Sequence, residues 1–341
     1  MTALQAVHTI GRSVSVSFGA VELFAYVYRP DTPVLESPKP YLHPVRTLAG
    51  DLVSLYRPHD HVWHKGIAWS LPHVGEHNFW GGPTYERERG YVQLRNNGSA
   101  VHREMTAVGA DGDRAGLAHR LDWISQEGRP IIEERRSLTA AVLDDSAWAL
   151  VFDTAMTNVS GGPLDFGSPT TKGRENAGYG GLFWRGPRSF TGGIIQSPAG
   201  AGGDELRGTR SGWMGFRGRH DETGGWSTVV MVDDAANPRH PPQWFARSEM
   251  FACLCPAPFF SEELRVEDGR TLSFRYAVVI ADGDHGEEGT ALLAEQGRTA
   301  LTAPPLSPSA TPSFTTPATR PATTSPPAAP TGQAPPGRGT S

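Results

Sequence analysis

The chain has 341 residues, a formal net charge of −5, 38% hydrophobic and 20% charged residues. That mixture supports a packed core and is too apolar for a wholly disordered chain. Mild acidity argues against nucleic acid as a partner, because such binding needs a basic surface, and no apolar run approaches the roughly 20 residues of a membrane helix.

In chain order, residues 1–10 contain neither Lys nor Arg and run into no continuous apolar block, so no secretory signal is read there. Arg12 to Phe18 and Val21 to Tyr28 flank Gly19-Ala20 and are predicted to form a hairpin. Ala115 to Gln126 and Pro130 to Ala140 do the same around Glu127-Gly128-Arg129, and Trp148 to Asn158 follows. Further strands are expected at Ser227 to Val232, Met250 to Cys255 and Thr271 to Ile280. Many alternate apolar with polar residues, as half-buried antiparallel strands do, and no strand–helix–strand rhythm is present. The expected fold is therefore all-β, one large antiparallel β-sandwich over residues 1–286. A short helix is expected at 287–301, with acids at its start. Residues 302–341 are expected to be a disordered tail, since 304–341 holds eleven prolines in 38 positions and one aromatic residue. The only cysteines, Cys253 and Cys255, are one residue apart, a spacing that suits neither a low-strain disulfide nor a zinc ribbon. Buried thiols in a reducing cytoplasm are the reading.

Chemistry concentrates between Lys39 and Tyr85, where six of the twelve histidines lie within 47 positions. His59, His61 and His64 form an H-D-H-x-x-H cluster around Asp60. In an extended segment His59 and His61 share one face, and a turn after Val62 brings His64 alongside. Three converging imidazoles could hold a divalent metal, the one cofactor these residues suggest, or share proton transfer near neutral pH. His43, in Y-L-H-P-V-R, and Arg46 are candidate substrate-binding residues, and Trp80 in N-F-W-G-G offers a flat apolar platform for a sugar ring. A second polar stretch, KGRENAGYGGLFWR from Lys172 to Arg185, supplies Arg174 as a substrate-orienting group and Glu175 as a carboxylate base.

The motifs K-P-Y-L-H-P-V-R-T, R-P-H-D-H-x-W-H-K-G, N-F-W-G-G and G-R-E-N-x-G-Y-G-G-L-F-W-R resemble the bacterial PmoA family, over most of residues 10–285. The resemblance implies a large sandwich of the galactose-mutarotase, or aldose-epimerase, type that accompanies sugar oxidoreductases. It places His43, His59, His61, His64, Trp80, Arg174 and Glu175 within its motifs without assigning them roles. The expected function is that of a carbohydrate-active hydrolase, lyase or epimerase. In it an imidazole among His59, His61 and His64 moves a proton with Glu175 as partner, on a small-molecule carbohydrate. The alternatives are a sugar-binding or regulatory module without turnover and a metal-dependent oxygenase, as the family's "methane oxygenase" name implies. Wide sheet faces leave room for a homo-oligomer.

Overall fold

The computed structural model describes residues 3–304, so the expected tail lies outside the described residues except at 302–304. The alternating runs form strands. Ser13–Phe18 pairs antiparallel with Val21–Val27, and Arg114–Ile124 with Pro130–Val142. The expected strand from Met250 begins later, at Cys253–Ala257, which leaves Met250 and Phe251 in a loop. Two large sheets result, one of eight strands and one of nine, with antiparallel pairing throughout both. The last strand in sequence, Thr271–Asp282, does not sit at an edge. It inserts between Ala147–Asn158 and Trp226–Asp233 in the middle of the nine-stranded sheet.

The sheets pack face to face, as the expected antiparallel β-sandwich requires. Phe24, Trp69, Trp184 and Trp244 from one sheet meet Leu138, Phe152, Phe216 and Tyr276 from the other. Each is an every-second residue of its strand, which is why the sandwich can be read from period-2 patterning. One buried ion pair lies in this core, on a single strand of the nine-stranded sheet. Glu134 accepts hydrogen bonds from Arg136 at 2.7 and 2.9 Å, from the Trp123 indole at 2.6 Å and from Thr154 at 2.8 Å. That complete set of partners offsets the desolvation that buried charges suffer.

Each sheet also has an outer face. On the nine-stranded sheet it is covered by the helix Gly286–Thr302, whose Leu293, Ala294 and Leu301 pack on Val230, Val232, Ala277 and Val279. On the eight-stranded sheet it carries a separate cluster of large rings, Trp80, Phe183, Phe245, Phe251 and Phe260, around Cys253 and Cys255. No helix among the described residues is long and apolar enough to cross a membrane.

Candidate functional site

Strand alternation builds the floor of the candidate site. On Gly181–Arg185, Leu182 and Trp184 enter the core, which turns Phe183 and Arg185 outward. On Gln243–Arg247, Trp244 and Ala246 point inward and Phe245 and Arg247 outward. On Cys253–Ala257, Leu254 joins the core while both thiols face the outer cluster, free and buried. Loops arch over this floor and enclose a cavity of about 380 Å³. Its walls are aromatic: Trp63, Trp80, Tyr91, Tyr179, Phe183, Phe245 and Phe251, with His61, His64, Arg174 and Arg247 among them.

The histidine segment is not extended. The His61 N–H donates to the Pro58 carbonyl at 3.0 Å, and the His64 N–H to the His61 carbonyl at 2.9 Å. Two successive tight turns therefore replace the expected strand and split the cluster. His59 is exposed and lies 3.3 Å from Arg188, which also bonds Asp60 at 2.7 Å. His61 and His64 turn toward the cavity and stack, centroids 4.7 Å apart and planes at 19°. Stacked rings present their nitrogens side by side rather than toward a common point. Among the described residues no group of three His, Cys, Asp or Glu side chains is arranged to hold a metal ion. The expected His59, His61 and His64 ligand set is thus not assembled.

His64 is 4% exposed, edge-on to Trp80, and its Nδ1 is buried without a hydrogen-bond partner. Burial, reinforced by the charges of Arg185, His61, Lys39 and Lys65, takes its pKa well below the usual imidazole value. His61 Nδ1 lies 3.4 Å from an Asp60 carboxylate oxygen. Burial lowers its pKa too, opposed by Asp60 and assisted by Arg185 and Arg247. Both rings are therefore neutral at pH 7, each able to accept a proton.

Trp80 is held rigidly. Asn78 Oδ1 accepts from the Trp80 and Gly81 N–H groups, each at 2.9 Å, and the buried Lys39 ammonium donates to the Trp80 carbonyl at 2.7 Å. Gly81 and Gly82 have φ of +105° and +67°, and a Cβ at either would press into Trp63 at 2.6 and 2.8 Å. Glycine is the residue that lets this loop turn and the indole lie against it. Below the loop, Glu36 is buried and binds both Lys65 and Arg57.

Of the other expected residues, Arg174 reaches the cavity, where its guanidinium lies over the Tyr91 ring at 4.6 Å. Glu175, its neighbour, is exposed and does not line the aromatic cavity, so the expected meeting of Glu175 with the imidazoles does not occur there. His43 is half-buried on the Tyr56 ring with Nδ1 2.8 Å from Ser54 Oγ, and Arg46 donates to the Gly50 carbonyl at 3.3 Å. Neither lines the cavity. Sequence reasoning missed Arg185, Arg247 and Phe251. Arg185 follows Phe183 by two residues on a strand, and that alternation is the signal that could have found it.

A wider hollow of about 940 Å³ lies elsewhere, lined in part by His73, His77, Glu76 and Glu263. Some of its charges pair with one another, Lys172 on Glu263 at 2.6 Å and Arg129 on Glu76 at 3.3 Å, and Arg87, Arg95 and Glu127 line it as well.

Several solved structures are similar in fold. A galactose 1-epimerase from Lactobacillus acidophilus NCFM is 8% identical, with 83% of this chain and 100% of that chain covered at a TM-score of 0.37. A GalM/aldose epimerase homologue from C. elegans is also 8% identical, with 83% and 100% covered and a TM-score of 0.30. A heparinase III is 10% identical over 82% of this chain, at a TM-score of 0.33, and this chain spans 34% of its length. No curated protein matches the sequence. The family model that does match covers residues 13–295 and is not that of the PmoA family, so the expected membership is corrected. The chain belongs to DUF6807, a family of unknown function.

Proposed function

We propose that the protein is a carbohydrate-active enzyme that binds a sugar or oxidised sugar in the aromatic cavity and moves a proton with His61 and His64. The observation that carries this reading is the pair of neutral, stacked imidazoles, at 4.7 Å, on the wall of a hollow lined by Trp63, Trp80 and Tyr179. Flat rings complement the apolar face of a sugar, and a neutral imidazole has a ring nitrogen free to take a proton as a general base. No Asp or Glu is among the lining residues, so the two-carboxylate arrangement of glycoside hydrolysis is not supported. The favoured chemistry is an epimerase or lyase step, in which an imidazole takes a proton from carbon. The proton is then returned to that carbon, or a leaving group departs from the neighbouring one.

The test is incubation of the full chain with neutral and oxidised sugars in D2O, followed by NMR for new products and for deuterium on carbon. His64→Ala is expected to lower the rate by about 10²- to 10⁴-fold. Binding with neither product nor exchange would favour the second reading, a sugar-binding module, to which the missing carboxylate already points.

A further inference from the structure

The aromatic cavity carries charge of the opposite sign to the protein as a whole. The chain is net −5, yet Arg174 and Arg247 line the cavity and no Asp or Glu does. Arg185 lies directly behind the wall, its guanidinium carbon 3.7 Å from the centre of the Phe251 ring. It is 0% exposed, and none of its three side-chain nitrogens has a hydrogen-bond partner among the described residues. Arg174 bonds the Tyr91 hydroxyl and Arg247 the Met250 sulfur, so neither is neutralised by a carboxylate. Asp60, the acid whose charge acts on Arg185, is engaged by Arg188 at 2.7 Å.

Three arginines around one hollow, held by aromatic rings and unmatched by acids, form an unusual arrangement. A buried cation without a partner is unfavourable, and the imbalance is relieved when an anion enters. Ring stacking pre-orients these guanidinium groups, so little ordering remains to be done on binding. We propose that the cavity selects a carboxylate-bearing sugar, whose carboxylate is paired by Arg174 or Arg247 in the field of buried Arg185 while a ring face lies on Trp80. This deepens, and rests on, the reading of the cavity as a sugar site. A carboxylate is favoured over a phosphate for two reasons. The planar guanidinium fork matches two coplanar oxygens. Phosphate sites commonly use the N-terminus of a helix, and the one α-helix among the described residues covers the opposite sheet.

Trp63 and Trp80 in the wall make intrinsic fluorescence a direct readout. The full chain is titrated with D-glucuronate, D-gluconate, D-glucose and D-glucose 6-phosphate at low ionic strength. At least one sugar acid is expected to bind about tenfold or more tightly than glucose, with the advantage shrinking as salt is added. In the double variant Arg174→Gln, Arg247→Gln the advantage is expected to fall to within about twofold. Arg185→Gln is expected to weaken it as well, with circular dichroism confirming the fold. Equal affinity for acid and neutral sugar, a preference surviving the double variant, or no binding by either acid overturns the proposal. Tighter binding of the phosphate than of both acids overturns the carboxylate assignment. Turnover of neutral sugars without an anion preference removes this inference and leaves the enzyme reading standing. An anion preference without turnover does the reverse.

Discussion

The two outer faces of the sandwich are built on the same strand alternation and end differently. On the nine-stranded sheet the outward residues are mostly small or β-branched, Ala147, Ala149, Val151, Val230, Val232, Ala277, Val279 and Ala281, with Trp213 a large ring among them. A helix settles flush against them. At Gly297 it comes so close that a Cβ would meet a Val232 methyl at 2.8 Å. On the eight-stranded sheet the outward residues include the rings Phe183 and Phe245 and the arginines Arg185 and Arg247 beside Cys253 and Cys255, and the loops over them leave room for a ligand. Residue size on the outward positions thus decides which face is sealed and which is open. The sealed face contributes stability through apolar burial, while the open face keeps donors uncommitted.

That contrast can be broken from either side. The largest expected effect is beneath the Trp80 loop of the open face. Glu36→Gln leaves the buried Lys65 ammonium without its counter-charge, at a cost of about 3–5 kcal/mol read by urea denaturation. A loss below about 1 kcal/mol would show that the open face does not depend on this network. On the sealed face, Leu293→Ala is expected to cost about 2–4 kcal/mol while leaving sugar affinity unchanged. Altered affinity would show that the two faces are not independent.

Acid sharpens the comparison. Burial holds His43, His73 and His102 down at about 4 and takes His64 and His119 well below the usual value. The unfolded chain takes up protons on these rings below about pH 6.5. The folded chain does not, so the unfolded state binds more protons and stability falls as pH falls from about 6.5 toward about 4. Calorimetry is expected to give a lower Tm at pH 5 than at pH 7.5, and an equal or higher value would contradict the buried, neutral assignment. The smallest effect belongs to Glu175→Gln. An exposed side chain with no partner among the described residues is expected to change stability by less than about 0.5 kcal/mol and turnover not at all. A clear loss of turnover would return this carboxylate to the site.

The strands were readable because each buries one face, and burial on one side imposes a period of two on the residues. The hairpins at Gly19-Ala20 and Glu127-Gly128-Arg129 were readable from turn chemistry, and the helix from the acids at its start. The histidine segment was not readable in the same way. Nothing in H-D-H-x-x-H distinguishes a strand from two consecutive turns, and that choice decides whether His59 joins His61 or faces Arg188. His61, His64, Trp80 and Arg174 could be picked out as polar or aromatic residues in dense motifs, and all four line the cavity. Glu175 failed the same test because adjacent loop residues point in different directions. Phe251 was invisible because the strand expected from Met250 starts three residues later, at Cys253, and Arg247 because it ends a strand, Gln243–Arg247, that was not expected.

The central place of Thr271–Asp282 has a consequence for synthesis. The nine-stranded sheet receives its middle strand last, after its other eight strands, the two flanking partners among them, have been synthesised. Until then, Ala147–Asn158 and Trp226–Asp233 each present an unpaired edge, the condition under which nascent chains recruit chaperones or aggregate. Ribosome-stalled chains ending before residue 271 are accordingly expected to remain protease-sensitive, and resistance is expected to appear abruptly once that segment clears the exit tunnel.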